Sequence, residues 1–203
     1  MRPAYIAATH LAALGLGFAL APKNPVVKNK GFFQVDTTKV LATTVESLRN
    51  ESRLLVFTYK RTASVQADRT LWWILGGRQE LRVPAVVPYY LNLSELSLAD
   101  VTYNGHTKIV TVKLPKVTLG DIAFQPENAT TINGGLLTWS EEQVESLRKL
   151  NYANARRAMV AQAQQPGLLN TAKQQARSSV ENYFAIPLRI VGQPDVKVAA
   201  TFK

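Results

Sequence analysis

Residue types that carry chemistry in proteins are scarce in this sequence of 203 residues. Cysteine is absent, which excludes disulfides, thiol nucleophiles and cysteine-ligated metal centres. There are two histidines, His10 and His106, and the first lies in an apolar segment. The sequence contains no GxxxxGK[ST] phosphate loop, GxGxxG dinucleotide turn or HExxH zinc motif. We therefore predict no catalytic, cofactor-binding or metal-binding residues.

Acidic residues are also few, and the formal net charge is +10. Such an excess of positive charge attracts nucleic acid or anionic lipid. A nucleic-acid surface usually combines a dense basic stripe with interleaved aromatic residues, and no such stripe is present. Residues 1–30 contain four basic residues and no acidic one, so they hold +4 of this charge, and the remaining +6 is spread over 173 residues. We predict no nucleic-acid partner.

Residues 4–21 contain no charged side chain. As a helix, 18 residues would span about 27 Å, which is enough to cross the hydrocarbon core of a bilayer. A secretory signal is the alternative, because Ala19-Leu20-Ala21 resembles a cleavage site, although Pro22 disfavours cleavage there. A buried core helix is a third interpretation. We expect a single-pass membrane protein of the cell envelope with residues 1–21 as its anchor; export to the periplasm is the alternative.

A linker is expected over residues 22–36, which are rich in Pro, Lys, Asn and Gly, and a single domain over residues 37–203. The domain begins with a predicted helix over residues 37–49, capped by Asp36 or Thr37 and ended by Asn50 in the left-handed conformation. A strand over residues 53–66 follows, with one face formed by Leu55, Phe57, Tyr59, Ala63 and Val65.

Pro84 and Pro88 then indicate an edge or irregular strand over residues 81–93. The pair Asn104-Gly105 predicts a hairpin with a two-residue type I′ turn, and another strand is expected over residues 117–124.

Two helices are predicted in the C-terminal half. Ser140 and Gln143 form a capping box, and Trp139 with Val144 forms a hydrophobic staple. This helix should stop near Gln165, before Pro166-Gly167. The next should cover residues 168–184 and end at Ile186-Pro187. Its predicted buried face is Leu168, Leu169, Ala172, Ala176, Val180 and Tyr183.

Alternation over residues 196–202 predicts a final strand. The expected fold class is α+β, an antiparallel meander packed against about three helices and preceded by an N-terminal apolar helix.

Four groups of residues are functional candidates. His106 could act in hydrolysis only if a serine and Asp100 or Asp121 converged on it, and a solvated loop histidine is the more common case. The cluster of Glu141, Glu142 and Glu145 is explained by a favourable interaction with a helix dipole.

The third group could bind anionic lipid or form an ordinary solvated helical face. Its members are Arg148, Lys149, Arg156, Arg157, Lys173 and Arg177. Trp72 and Trp73 could lie at a membrane interface, although core packing is the more common role of such residues.

The order of elements resembles the bacterial DUF4230 family, a domain of unknown function. The similarity covers about residues 37–203. It rests first on the helix-to-strand start, residues 44–48 leading to 54–56, and on the segment before the hairpin, residues 91–94. It also rests on residues 109–112 leading to 114–116, and on Gly167-Leu168-Leu169 between the two Ala-rich helices. The resemblance implies an N-terminal apolar segment followed by one α+β domain, and it implies no activity for any residue.

These observations predict a membrane-associated, non-catalytic binding or assembly module. Its expected partners are membrane lipid, through the N-terminal segment, and a protein partner or a second copy of the chain. The alternatives are a hydrolase with an unrecognised site and a domain that binds anionic lipid.

Overall fold

Helix α1 spans Thr37–Asn50 in the computed structural model, which describes residues 36–71, 75–135 and 139–203. The Thr38 N–H donates to the Asp36 carboxylate at 3.0 Å, which confirms the predicted cap. The helix ends at Asn50 as predicted, but the left-handed residue is Ser52, at φ 59°, and not Asn50. The carbonyl of Ser52 accepts the N–H groups of Leu93 and Ser94. These contacts with a distant segment place the turn two residues later.

Strands β1 (Arg53–Leu71) and β2 (Leu75–Asn92) form a long antiparallel hairpin. The predicted strand is confirmed and extends further. A bulge between Leu55 and Phe57 shifts the register, and Leu55 is 52% exposed. The prediction that Leu55 shares the face of Phe57 is therefore wrong, because an extra residue reverses the alternation of side chains.

Strand β2 is central, so the edge alternative in the prediction of an edge or irregular strand is wrong. It pairs with β1 on one side. On the other it pairs with β5 (Val117–Leu119), β6 (Ala123–Phe124) and β7 (Thr130–Gly134). The single strand predicted over residues 117–124 is therefore two short strands, β5 and β6.

The two prolines explain why this second side is divided into short strands. The carbonyl of Pro84 accepts from the Gln125 N–H and that of Pro88 from the Gly120 N–H. Since the N–H and C=O of one strand residue point to the same side, the donors that proline lacks are missing only on this side. The hydrogen bonds between β2 and β1 therefore lose no donor to either proline.

Strands β3 (Val101–Asn104) and β4 (Ile109–Leu114) confirm the predicted hairpin, but not its two-residue turn. Asn104 pairs with Ile109, so the loop has four residues, with Lys108 at φ 53°. The side-chain oxygen of Asn104 accepts the N–H groups of His106 and Thr107. Asn104 thus stabilises a wider loop through its side chain.

The predicted C-terminal strand is confirmed as β8 (Lys197–Phe202). It lies parallel to β4 and completes a smaller sheet in the order β3-β4-β8.

Helices α2 (Glu141–Ala163) and α3 (Pro166–Ile190) form a helical hairpin. The capping box is confirmed by reciprocal hydrogen bonds between Ser140 and Gln143. Trp139 and Val144 belong to one apolar cluster with Ala67 and Leu147, as the predicted staple requires. The predicted end at Pro187 is wrong: α3 continues to Ile190, and Leu188 is fully buried. Packing of this last turn offsets the hydrogen bond that proline removes.

Two larger apolar clusters form the core. The first joins α1 and the C-terminal half of α3 to the smaller sheet. The second joins α2 and the start of α3 to β1 and β2. The predicted α+β class with three helices is confirmed, although the strands divide into two sheets and one pair is parallel. The predicted N-terminal apolar helix lies outside the described residues.

Candidate functional site

His106 lies exposed in the β3–β4 loop, where its backbone N–H is held by Asn104. Asp100, its potential acidic partner, instead accepts hydrogen bonds from Ser97 Oγ at 2.8 Å and Lys203 Nζ at 3.0 Å. The hydrogen bond from Lys203, aided by Ser97, holds the pKa of Asp100 below its usual range. Asp100 therefore serves the local fold by capping a 3₁₀ turn at Leu98–Asp100 and fixing the C-terminal lysine.

The glutamates at the start of α2 also have structural roles. Glu141 and Glu142 occupy its first turn, where negative charge is favoured. Glu145 accepts two hydrogen bonds from Arg148, at 2.6 and 2.8 Å, and these lower its pKa. A general acid needs a raised pKa, so this environment does not suit acid catalysis. Within the described ranges, no group of three or more potential ligands could hold a metal ion.

The basic side chains of the helical hairpin have several different partners. Arg148 binds Glu145 and lies over the ring of Tyr152, and Arg157 donates to Asn154. These contacts stabilise the surface of α2 locally.

On α3, Lys173 and Arg177 lie over the ring of Phe202 in β8, at 5.8 and 5.4 Å from its centroid. Such cation–π contacts keep the cationic heads in water while their stems cover the ring. For these four of the six candidates, the structure thus provides contacts that require no ligand.

A surface that the sequence did not predict lies near the end of α3. Tyr183, Ile186 and Ile190 are 43%, 55% and 69% exposed, and we call these three residues the α3 ridge. Exposed large apolar side chains elsewhere in the described part of the chain are Leu55, Leu98, Tyr103, Ile109, Ile132 and Leu150. None of these shares its helix or strand with another member of that set. The α3 ridge is thus a local concentration of exposed apolar surface.

The position of the ridge follows from the spacing of the buried residues in α3. These recur every four residues, as Ala172, Ala176, Val180, Phe184 and Leu188. A helix has about 3.6 residues per turn, so the buried face rotates by about 40° at each step. Near Ile190 the core therefore lies roughly opposite the face that carries the ridge. The prediction that Tyr183 is buried failed because it assumed one fixed face; the four-residue spacing of small and apolar residues is the signal that could have revealed the rotation.

The first residue of α1 lies close to the segment that follows α3. The Thr37 hydroxyl donates to Gln193 Oε1 at 2.9 Å, and Gln193 follows Ile190 by three residues. Thr37 directly follows the predicted linker, so the chain enters the folded domain near the C-terminal end of α3.

Two candidate membrane features fall outside the described residues. They are the apolar run at residues 4–21 and the pair Trp72-Trp73. Among the helices that the structure does describe, none is long and apolar enough to cross a membrane.

Comparison with protein families matches residues 36–197 to DUF4230, described as a protein of unknown function. Neither the curated proteins nor the solved structures yield a match. The match begins at the cap of α1, reaches into β8 and covers most of the chain. The chain therefore belongs to the DUF4230 family, as the resemblance at the sequence level implied.

Proposed function

We propose that this protein is a membrane-associated, non-catalytic module that binds or assembles with a partner at the membrane. The α3 ridge carries the proposal, because a group of exposed apolar side chains is typical of surfaces that contact protein or membrane. The helix that carries the ridge ends just before Gln193, which contacts Thr37 near the point where residues 1–36 join the domain. The contacts of Asp100 and Glu145 favour binding over catalysis, since both carboxylates are held by cations.

Membrane association is tested by fractionation of the full chain. We expect the intact protein in the membrane pellet after an alkaline carbonate wash. The double substitution Leu14→Arg/Leu16→Arg should move it to the supernatant, because each arginine at the centre of a membrane helix costs about 2.5–3.5 kcal/mol. A matched control, Gln164→Arg/Gln165→Arg, adds the same charge at exposed positions and should stay in the pellet.

The N-terminus of the recovered protein separates an anchor from a cleaved signal. A retained N-terminus together with carbonate-resistant association supports the anchor, whereas a chain beginning at Pro22 supports export. An intact, uncleaved chain that remains soluble in cells would contradict the proposal.

A further inference from the structure

We infer that the α3 ridge docks shallowly on the lipid surface of the membrane to which the N-terminal segment tethers the chain. This inference rests on the proposed membrane association and adds the ligand of the exposed surface. The occupant is a lipid surface at the level of the headgroups, and the contact is made by the folded domain itself.

The size of the ridge favours lipid over a second protein surface. Three partly exposed side chains offer an apolar area on the order of 300 Å². A stable protein interface usually buries roughly 800 Å² on each partner. A small apolar surface is better suited to a tethered contact, because a tether raises the effective concentration and a weak affinity is then sufficient.

The chemistry of the ridge suits the depth of the headgroups. A tyrosine places its ring among acyl chains and its hydroxyl in water, as is common at membrane interfaces. Ile186 and Ile190 are purely apolar, and Arg189 is exposed on the same turn. Proline at 187 has no N–H, so the Tyr183 carbonyl lacks its helical donor. A carbonyl without that bond is tolerated near water but costly in hydrocarbon, which limits the insertion to a shallow depth.

The tether and the charges are consistent with this placement. The 15 residues of the linker reach at most about 50 Å when fully extended, so the domain stays near the membrane surface. Glu181 is the only acidic residue of α3, and the linker contains Lys23, Lys28 and Lys30 against a single acidic residue, Asp36. A ridge on a helix with one acidic residue, in a chain whose linker has a net positive charge, matches an anionic lipid surface.

The absence of cysteine allows a direct test in the full chain. The variant Ile190→Cys, labelled with an environment-sensitive fluorophore, is reconstituted in liposomes of phosphatidylcholine and phosphatidylglycerol. Gln164→Cys, at an exposed site between α2 and α3, is the matched control. Lipids brominated near the carbonyl end of the acyl chain should quench the probe at 190 several-fold more than the probe at 164. Adding Ile186→Asp should reduce this quenching to the control level while circular dichroism stays unchanged.

The other outcomes separate this inference from the function on which it rests. If the chain does not enter liposomes, both the membrane association and the docking are wrong. If it enters them but both probes are quenched equally, the docking is overturned while the membrane association stands. A probe at 190 with apolar emission but no quenching by lipid would mean that protein covers the ridge, either a second copy or another segment, and this also overturns the inference.

Discussion

At the residue scale, Asn151 and Gln79 are the most buried polar side chains of the described chain. Asn151 Nδ2 donates to the backbone carbonyl of Gln79 at 2.9 Å and to its Oε1 at 3.2 Å. Gln79 Nε2 in turn donates to Asn133 Oδ1. Helix α2 is thus joined to β2 through two side chains that are buried from water, and β2 in turn to the exposed Asn133 of β7, which fixes where the helix lies on the sheet.

The substitution Asn151→Leu tests this role. It conserves the approximate volume but leaves the Gln79 carbonyl and Oε1 without this donor, and we expect a loss of about 1–3 kcal/mol in the free energy of unfolding. The measurement is urea denaturation followed by circular dichroism. Asn154→Leu, one turn away, removes an exposed hydrogen bond from Arg157 and should change stability by less than about 0.5 kcal/mol. Equal effects of the two changes would show that the buried amides do not anchor α2.

Asp100 makes stability depend on pH. Its pKa is lowered in the folded state, first by the hydrogen bond from Lys203, so it stabilises the fold above its unfolded pKa, near 3.8. That contribution is lost as pH falls through the folded pKa. Asp100→Asn should therefore cost about 1 kcal/mol at pH 7, and the difference from the unmodified protein should shrink below pH 4. Urea denaturation of the variant and of the unmodified protein at pH 7 and at pH 3 measures the cost and its decrease.

Asp195→Asn is the control for this pH dependence. It removes the pair with Lys108, in which both side chains are more than half exposed. Such an exposed pair contributes little to stability, so we expect only a small change in the free energy of unfolding at either pH. If the difference in unfolding free energy between Asp100→Asn and the unmodified protein stays constant from pH 7 to pH 3, the ionised carboxylate is not its source.

At the element scale, β8 is an edge strand whose outer side is closed by a side chain. Among the described strands β8 pairs only with β4. The Ala200 N–H donates instead to Glu181 Oε1 of α3, at 2.9 Å. Unpaired backbone groups at a sheet edge promote pairing with other chains, and a carboxylate that occupies one of them blocks that pairing.

Removing this carboxylate should weaken the fold and expose the edge. Glu181→Ala is expected to cost about 1–2 kcal/mol, since one part-buried hydrogen bond to a charged group is lost. Sedimentation velocity should then show association that increases with concentration. Glu181→Gln keeps an oxygen acceptor at the same position and should remain closer to the unmodified protein. If Glu181→Ala is as stable and as dispersed as Glu181→Gln, the edge is protected by other means.

Elements whose signals are local could be predicted from the sequence. The cap of α1 at Asp36, the capping box of α2 and the alternation of β8 each depend on residues a few positions apart, and all three are confirmed. The errors at Leu55, Pro84 and Pro187 have distant causes. A bulge, strands pairing on a second side and packing of the last helical turn are decided by contacts far along the chain.

The candidate site escaped prediction for a related reason. One amphipathic face was assumed for the whole of α3, which placed Tyr183 in the core. In the structure, Ala172 packs in the cluster of the larger sheet, whereas Phe184 and Leu188 pack in that of the smaller sheet. The helix must turn its buried face to serve both clusters, and this rotation exposes the α3 ridge.

At the scale of the whole domain, α3 joins the two clusters. Val56 of β1 and Val117 of β5 pack against both, so apolar contacts are continuous between the two sheets. A domain with connected apolar clusters usually unfolds in one cooperative transition. Loss of packing in either cluster should therefore lower the stability of both.

Leu41 and Met159 allow this cooperativity to be tested from opposite sides. Leu41 is buried in the first cluster and Met159 in the second, and substitution of either by alanine should cost about 2–5 kcal/mol. In both variants, carried in a Trp72→Phe/Trp73→Phe background that leaves Trp139 as the one tryptophan, urea curves from circular dichroism and from tryptophan fluorescence should coincide, since the helices and the surroundings of Trp139 then unfold together. Leu150→Ala, at an exposed position of α2, should leave the midpoint nearly unchanged. Separate midpoints for the two probes in Met159→Ala would mean that the larger sheet and α2 unfold first. The two sheets would then be independent units, and rotation of the buried face along α3 would not suffice to couple them.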